Sequence, residues 1–129
     1  MVIYYDTREK TPFTLTEAWK GVETERITMK TADYTNGVIK IERKGIGDLI
    51  GTLGRGRVRF MKEVDRGFDH LIIEGTREDI ERHLKKRHSR MSIKYIMLLL
   101  HIIEDKGIKV HLCDGREAAA ELALNLLQA

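Results

Sequence analysis

Three consecutive residues combine one carboxylate with two cations: Glu42, Arg43 and Lys44. Asp33 adds a second carboxylate nine positions before Glu42. Successive side chains of a β-strand point to opposite faces, so Glu42 and Lys44 would share one face while Arg43 points to the other. A short connection into this strand would bring Asp33 beside Glu42. Carboxylate oxygens are the ligands that Mg²⁺ prefers, and a nearby ammonium can hold a phosphate oxygen or the attacking water. The spacing therefore suits metal-dependent phosphodiester hydrolysis.

Two further acidic residues are expected near the same point. Asp6 ends the first predicted strand, and Asp48 follows Lys44 by about one helical turn. A Glu-x-Lys pair alone would not carry this interpretation, because in a chain with 33% charged residues such a pair is more often an ordinary surface pair.

The elements that position these residues can be read from hydrophobic periodicity and from glycine and cap signals. Because strands come first and then alternate with helices, the chain is predicted to form a mixed α/β sheet with helices on both faces. Strands are predicted at residues 2–5, 24–30, 38–43, 70–74 and 108–113. Helices are predicted at residues 14–19, at 46–53 and 58–68 around a glycine joint, after Thr76, and at 92–105 and 116–128.

Three short motifs occur in sequence, followed by a basic segment with glycines. They are Asp6-Thr7-Arg8-Glu9, Ala32-Asp33-Tyr34, and residues 41–51, which contain Glu42-Arg43-Lys44 and Asp48. In this order they resemble the nuclease domain of the XPF-type structure-specific endonucleases, whose signature is V-D-x-R-E, then G-D-Y, then E-R-K-x-x-x-D, then a G-R-L-like segment. The resemblance covers almost the whole chain, since the later elements also follow the family's order.

The resemblance implies a restriction-endonuclease-like core, Mg²⁺ or Mn²⁺ as cofactor, and cleavage of DNA at flaps, forks or related branches. The candidate catalytic residues that it supports are Asp6, Asp33, Glu42, Arg43, Lys44 and Asp48, and the candidate metal ligands are Asp33, Glu42 and Asp6. Two departures from the family pattern are visible. Ala32 stands where the family has glycine, and the tandem helix-hairpin-helix modules that follow the nuclease domain in most relatives are not part of this sequence. A partner protein that supplies DNA contacts is therefore one expectation.

The distribution of cations agrees with a DNA partner. Residues 82–94 contain six basic residues and no acidic ones, and three arginines surround the glycine joint at residues 54–59. Phosphate binding is one interpretation of the first stretch, and a solvated helix end whose cations face the helix dipole is the other. The candidate DNA-binding residues are Arg8, Arg55, Arg57, Arg59, Lys86, Arg87 and Arg90.

Other functional classes are excluded by composition and spacing. The single cysteine, Cys113, cannot form an internal disulfide, and His83 and His88 lie five positions apart, which does not suit two zinc ligands on one helix face. The longest apolar stretch, residues 96–103, is far shorter than the ~20 residues that span a bilayer, and the first residues have no signal-peptide pattern. No nucleotide-binding fingerprint is present. An intracellular location is expected, cytoplasmic or nucleoid-associated, with no membrane contact.

The C-terminal segments predict self-association. Residues 93–103 are apolar at nearly every position, and the leucines of residues 118–127 cannot all lie on one helix face. We therefore predict one nuclease domain, residues 1–129, that forms a homodimer through its C-terminal helices. Two alternatives stay open: a junction-resolvase or restriction-like nuclease on the same core, and a catalytically inactive DNA-binding partner subunit.

Overall fold

A six-stranded mixed sheet, flanked by helices, organises the computed structural model, which describes residues 1–129. The strand order is β2-β1-β3-β4-β5-β6; β4, β5 and β6 are parallel, and β3 is antiparallel to both of its neighbours. The predicted mixed α/β fold is confirmed. The strands are β1 Ile3–Asp6, β2 Thr24–Ile27, β3 Tyr34–Thr35, β4 Lys40–Lys44, β5 His70–Ile73 and β6 Lys109–Leu112, and the helices are α1 Ile46–Leu53, α2 Arg57–Arg66, α3 Arg77–Lys86, α4 Ile93–Asp105 and α5 Arg116–Gln128.

Strand β5 divides the core into two layers. All four of its residues are buried, and Leu71 and Ile73 pack in the cluster that contains the buried residues of α1 to α4. Ile72 packs on the opposite face, in the cluster that contains the buried residues of α5. Since both faces are covered, the strand is apolar at nearly every position instead of alternating.

The same alternation orients strand β4. Ile41 is buried in the α5 layer, so Arg43 points toward that layer, and Glu42 and Lys44 point toward the layer of α1 and α2. Lys44 ends the strand, and α1 begins two residues later. The candidate catalytic residues therefore lie at the carboxyl end of a central strand, the edge where open α/β sheets usually bind ligands.

Most element predictions agree with the structure to within a few residues. Helices α1 and α2 are separated by the predicted glycine joint, and Thr76 and Asp79 form the capping box that begins α3. Ser92 caps α4 through its hydroxyl, which accepts a hydrogen bond from the Tyr95 N–H. No helix of the chain has the length and apolar character that crossing a bilayer requires.

Two predictions of secondary structure are wrong. The helix expected at residues 14–19 is replaced by two short 3₁₀ turns, Phe13–Leu15 and Glu17–Trp19. The Thr16 hydroxyl donates to the Phe13 carbonyl and caps neither turn. Strand β3 was also missed, because two residues are too few to show an alternating pattern. It forms a hairpin with β4 around Gly37, whose φ of +96° favours glycine.

Candidate active site

Asp33 and Glu42 form a carboxylate pair at the edge of the sheet. The Asp33 N–H donates to the Ile41 carbonyl (2.8 Å), and the Arg43 N–H donates to Asp33 Oδ2 (2.8 Å), so Asp33 is bound to β4 through the backbone on both sides of Glu42. Glu42 is 7% exposed. Both residues line a cavity of about 500 Å³, here called the carboxylate cavity, together with Lys44, Asp48 and other polar residues. The predicted approach of Asp33 to Glu42 is present.

The surroundings of this pair disfavour two negative charges. The pKa of Glu42 is raised to about 8, first by burial and then by the charge of Asp33. The pKa of Asp33 is raised to about 6 by burial and by the charge of Glu9, while the Arg43 N–H and Lys44 act in the opposite direction. A bound cation would stabilise the ionised form of both carboxylates, because it offsets the repulsion between them.

Lys44 contacts the pair from the same face of β4. Its Nζ lies 3.5 Å from Glu42 Oε2 and 5.4 Å from the centre of the Phe60 ring on α2. The side chain is 19% exposed, so the ammonium is held between a carboxylate and an aromatic face yet still lines the cavity. This position suits a cation that contacts a phosphate oxygen or a water beside the carboxylates.

Arg43 points the other way and forms a buried ionic network. Its Nε donates to Glu9 Oε2 (2.8 Å) and its Nη1 to Glu74 Oε1 (2.9 Å), and all three side chains are at most 13% exposed. Tyr34 donates its hydroxyl proton to Glu9 Oε2 (2.7 Å). Arg43 therefore braces β4 against the loop after β1 and the end of β5. Glu9 and Glu74 were not among the predicted site residues.

Asp6 lines a cavity of about 210 Å³ together with the carboxylate pair, and its role as a third metal ligand stays a prediction. Its Oδ2 accepts from Arg8 Nε (2.7 Å), and its Oδ1 accepts from the Met29 N–H (2.9 Å). Burial would raise the pKa of Asp6, but these hydrogen bonds hold it below the ordinary value. Through these contacts the Asp6 carboxylate joins β1 to the segment after β2. No group of three acidic, histidine or cysteine side chains is arranged to hold a metal ion.

The carboxylates of Asp33 and Glu42 form a pair of donors that fits a hydrated divalent cation. Mg²⁺ is usually held by one or two carboxylates and keeps several waters. Two hard oxygen donors, both with raised pKa values, face an open polar cavity that has room for those waters. These two residues would hold Mg²⁺ or Mn²⁺.

Asp48 and a neighbouring groove extend the site toward α2. Asp48 is exposed in the first turn of α1 and lines the carboxylate cavity. It also lines an adjoining groove of about 390 Å³. This glycine groove is formed by Lys44, Gly47, Asp48, Gly51, Thr52, Gly56, Arg59, Phe60 and Glu63. Lys44 and Asp48 are thus shared by the two cavities.

The two stretches that contain the predicted DNA-binding residues pack against each other. Met91 Sδ would be 3.3 Å from a Cβ added to Gly54, so the loop after α3 packs against the α1–α2 joint. Arg57 begins α2 and donates to the Tyr95 hydroxyl of α4. On the other side of the carboxylates, Arg8 lines the carboxylate cavity. The predicted DNA-binding residues Arg55, Arg57, Arg59, Lys86, Arg87 and Arg90 are all exposed around these elements, as is Arg8.

Ala32, where the family pattern has glycine, adopts a φ of +69° and is buried beside Asp33. This left-handed conformation costs about 1 kcal/mol or more for a residue with a Cβ. The strain explains why glycine suits the position before the aspartate.

These strands and helices give the chain the α/β fold of an XPF-type nuclease domain. Two solved structures of XPF from Aeropyrum pernix, one of them in complex with DNA, superpose on it with a TM-score of 0.78 each. They share 19% and 21% sequence identity with this chain and cover 99% and 98% of it. The resemblance inferred from the sequence is confirmed at the level of the fold.

The chain spans 64% and 63% of the length of those two proteins, a little less than two thirds. No family model matches the sequence, and no curated protein is significantly similar to it.

Proposed function

We propose that this protein is a metal-dependent DNA endonuclease that hydrolyses phosphodiester bonds at branched DNA. The observation that carries the proposal is the buried Asp33–Glu42 pair with Lys44 at the carboxyl end of β4. The likeness to an XPF structure in complex with DNA supports the choice of polymer. Such an enzyme would act where the DNA is, in the cytoplasm or the nucleoid.

Each residue of the site has a separate task in this proposal. Asp33 and Glu42 would hold Mg²⁺ or Mn²⁺, which supplies Lewis-acid activation and neutralises charge on the phosphate. Lys44 orients the scissile phosphate or the attacking water through its ammonium group. Arg43 keeps β4 in place from the opposite face, and Asp48 lines the cavity beside Lys44.

The basic surfaces on both sides of the cavity would bind the DNA backbone. Arg8 lines the carboxylate cavity on one side, and on the other side the arginines of the α1–α2 joint lie at the glycine groove, which Arg59 lines. Few aromatic residues accompany these cations, so recognition would depend on backbone position and DNA shape more than on base stacking. A partner protein that supplies further DNA contacts belongs to the same proposal.

Incubation of the protein with labelled flap, fork, four-way junction and linear duplex DNA tests the proposed function. We expect cleavage of flaps or forks in Mg²⁺ or Mn²⁺ and none in EDTA. Preferential cutting of four-way junctions would favour a resolvase, and equal cutting of linear duplex a restriction-like enzyme. Binding without cleavage in every metal would leave only the inactive-subunit alternative.

Homodimerisation is the second part of the proposal. Most apolar residues of α4 are already buried within a single chain. The buried face of this helix contains Ile96, Leu99, Leu100 and Ile103. Leu98 and Ile102, one turn apart, stay 55% and 38% exposed on that helix. Strand β6 is an edge strand, paired on one side only, and lies beside α4. These features would be covered by a second copy of the chain.

Sedimentation tests the dimer. We expect the wild type to sediment at about twice 14.9 kDa at micromolar concentration, and Leu98→Glu to sediment as a monomer because it places a charge in the contact. Val58→Glu, at an exposed position on α2, is the matched control and should stay dimeric. A wild type that is monomeric at every concentration would contradict this part of the proposal.

A further inference from the structure

Helix α2 lies against the catalytic lysine. Its residue Phe60 is 2% exposed and belongs to the core, and the ring centre is 5.4 Å from Lys44 Nζ. Residues three apart on a helix are neighbours on its surface. Glu63 is therefore placed one turn beyond Phe60 on the side of α2 that faces the active site.

Glu63 lines two cavities that meet at Lys44. One is the glycine groove, which also contains Lys44 and Asp48. The other is a cavity of about 210 Å³, here called the inner cavity, which contains Lys44 together with both members of the Asp33–Glu42 pair. Glu63 thus faces the same small space as the two proposed metal ligands, from an element that neither of them belongs to.

Glu63 forms no close ion pair, although Arg8 lines the same cavity and feels its charge. The ion pairs of the active site join other residues, and the half-buried Glu63 carboxylate forms none and accepts no side-chain hydrogen bond. Arg59, one turn before it on α2, forms no ion pair with it either. Three other carboxylates line the inner cavity together with the cations Arg8, Lys30 and Lys44, so Glu63 adds one further negative charge to it.

The Asp33–Glu42 pair supplies two metal ligands. No third carboxylate is placed to coordinate the same ion directly. A hydrated cation reaches further than a bare one, because its bound waters donate hydrogen bonds to a second ring of acceptors. Among the carboxylates of the inner cavity, Asp6 is engaged by Arg8 and by the backbone, so Glu63 is the free acceptor.

We propose that Glu63 is an outer carboxylate of the cation site, a positioning residue that accepts hydrogen bonds from waters on the metal ion held by Asp33 and Glu42. This inference rests on the proposed function. Helix α2 would then contribute to metal affinity as well as to packing. Cation binding would depend on the contact between α2 and β4.

Calorimetric titration of the full chain with Mn²⁺, without DNA, tests the assignment. Loss of an outer acceptor typically weakens metal affinity by about tenfold or more, so Glu63→Gln should bind Mn²⁺ about tenfold less tightly than the wild type. The Mn²⁺-induced rise in Tm should shrink accordingly. Glu63→Asp, which keeps the charge on a shorter side chain, should retain part of the affinity.

Asp65→Asn is the matched control, because it removes one negative charge from the same helix at an exposed position that pairs with Lys106 (2.9 Å). It should bind Mn²⁺ like the wild type. Wild-type affinity in Glu63→Gln, with weak binding in Asp33→Asn, would overturn the role of Glu63 and leave the proposed function standing. Wild-type affinity in Asp33→Asn as well would instead remove the metal pair on which the proposed function depends.

Discussion

Asp33→Asn or Glu42→Gln is expected to abolish metal-dependent cleavage and, in EDTA at pH 8, to make the protein more stable than the wild type. The first effect follows from the loss of a ligand charge. The second follows from the repulsion between two buried carboxylates, which the neutral amide removes. A gain of about 1 kcal/mol corresponds to several degrees in Tm for a domain of this size.

The pH dependence of this gain has a definite sign. Raised pKa values, about 6 for Asp33 and about 8 for Glu42, mean that the folded protein keeps protons that the unfolded chain loses near pH 4. The pair therefore contributes less stability as pH rises from about 4 to about 8. The Tm difference between Asp33→Asn and the wild type should be small near pH 4 and grow toward pH 8.

Differential scanning calorimetry in EDTA and in Mn²⁺, together with single-turnover cleavage, measures both effects. Mn²⁺ should raise the Tm of the wild type and leave Asp33→Asn nearly unchanged. Glu121→Gln, an exposed carboxylate on α5, serves as the control and should cleave normally. Undiminished cleavage by either Asp33→Asn or Glu42→Gln would rule out the proposed metal site.

We expect Lys44→Ala to lose cleavage activity and Arg43→Ala to lose stability, although the two residues are adjacent. Lys44→Ala should lower the cleavage rate by about 100-fold or more, close to 3 kcal/mol of barrier, while Mn²⁺ affinity is retained. The reason is that Lys44 faces the cavity beside Glu42 and its ammonium is not a metal ligand.

Arg43→Ala should lower the stability of the folded protein. It leaves Glu9 buried without a cation and leaves Glu74 with only the longer contact to Arg116 (3.4 Å), and loss of one partner from a buried ion pair costs about 3–5 kcal/mol. Arg43→Lys keeps the charge but cannot reproduce the forked contact, so its loss should be intermediate. Urea unfolding measures this ranking; an Arg43→Ala variant that is as stable as the wild type would show that the network does not brace β4.

The strained backbone at Ala32 shows how local sequence and function interact at this site. Ala32 turns the chain sharply so that the Asp33 carboxylate meets the Arg43 N–H. Strain of this kind tends to persist at functional sites, where the surrounding contacts maintain it. Its presence beside the carboxylate pair agrees with the assignment of Asp33.

Several features of the protein could be predicted from the sequence because they depend on local periodicity. Alternation along residues 42–44 was enough to separate the side of Lys44 from the side of Arg43, and the structure has this separation. Periodicity and cap signals likewise predicted α1 to α5 and the mixed α/β fold. The order of the motifs indicated the family fold that the solved structures share.

Tertiary structure alone decided which distant charges meet. Glu9 and Glu74 lie 34 and 31 residues from Arg43, and no local pattern connects them to it. The same holds for Glu63, which reaches the inner cavity only because α2 packs its Phe60 on Lys44. Asp6 was predicted as a metal ligand from its position in a motif, and only the fold shows that its oxygens also accept hydrogen bonds from Arg8 and the Met29 N–H. Periodicity is set by neighbours along the chain, whereas the partner of a charge is set by which segments the sheet brings together, and that depends on the whole fold.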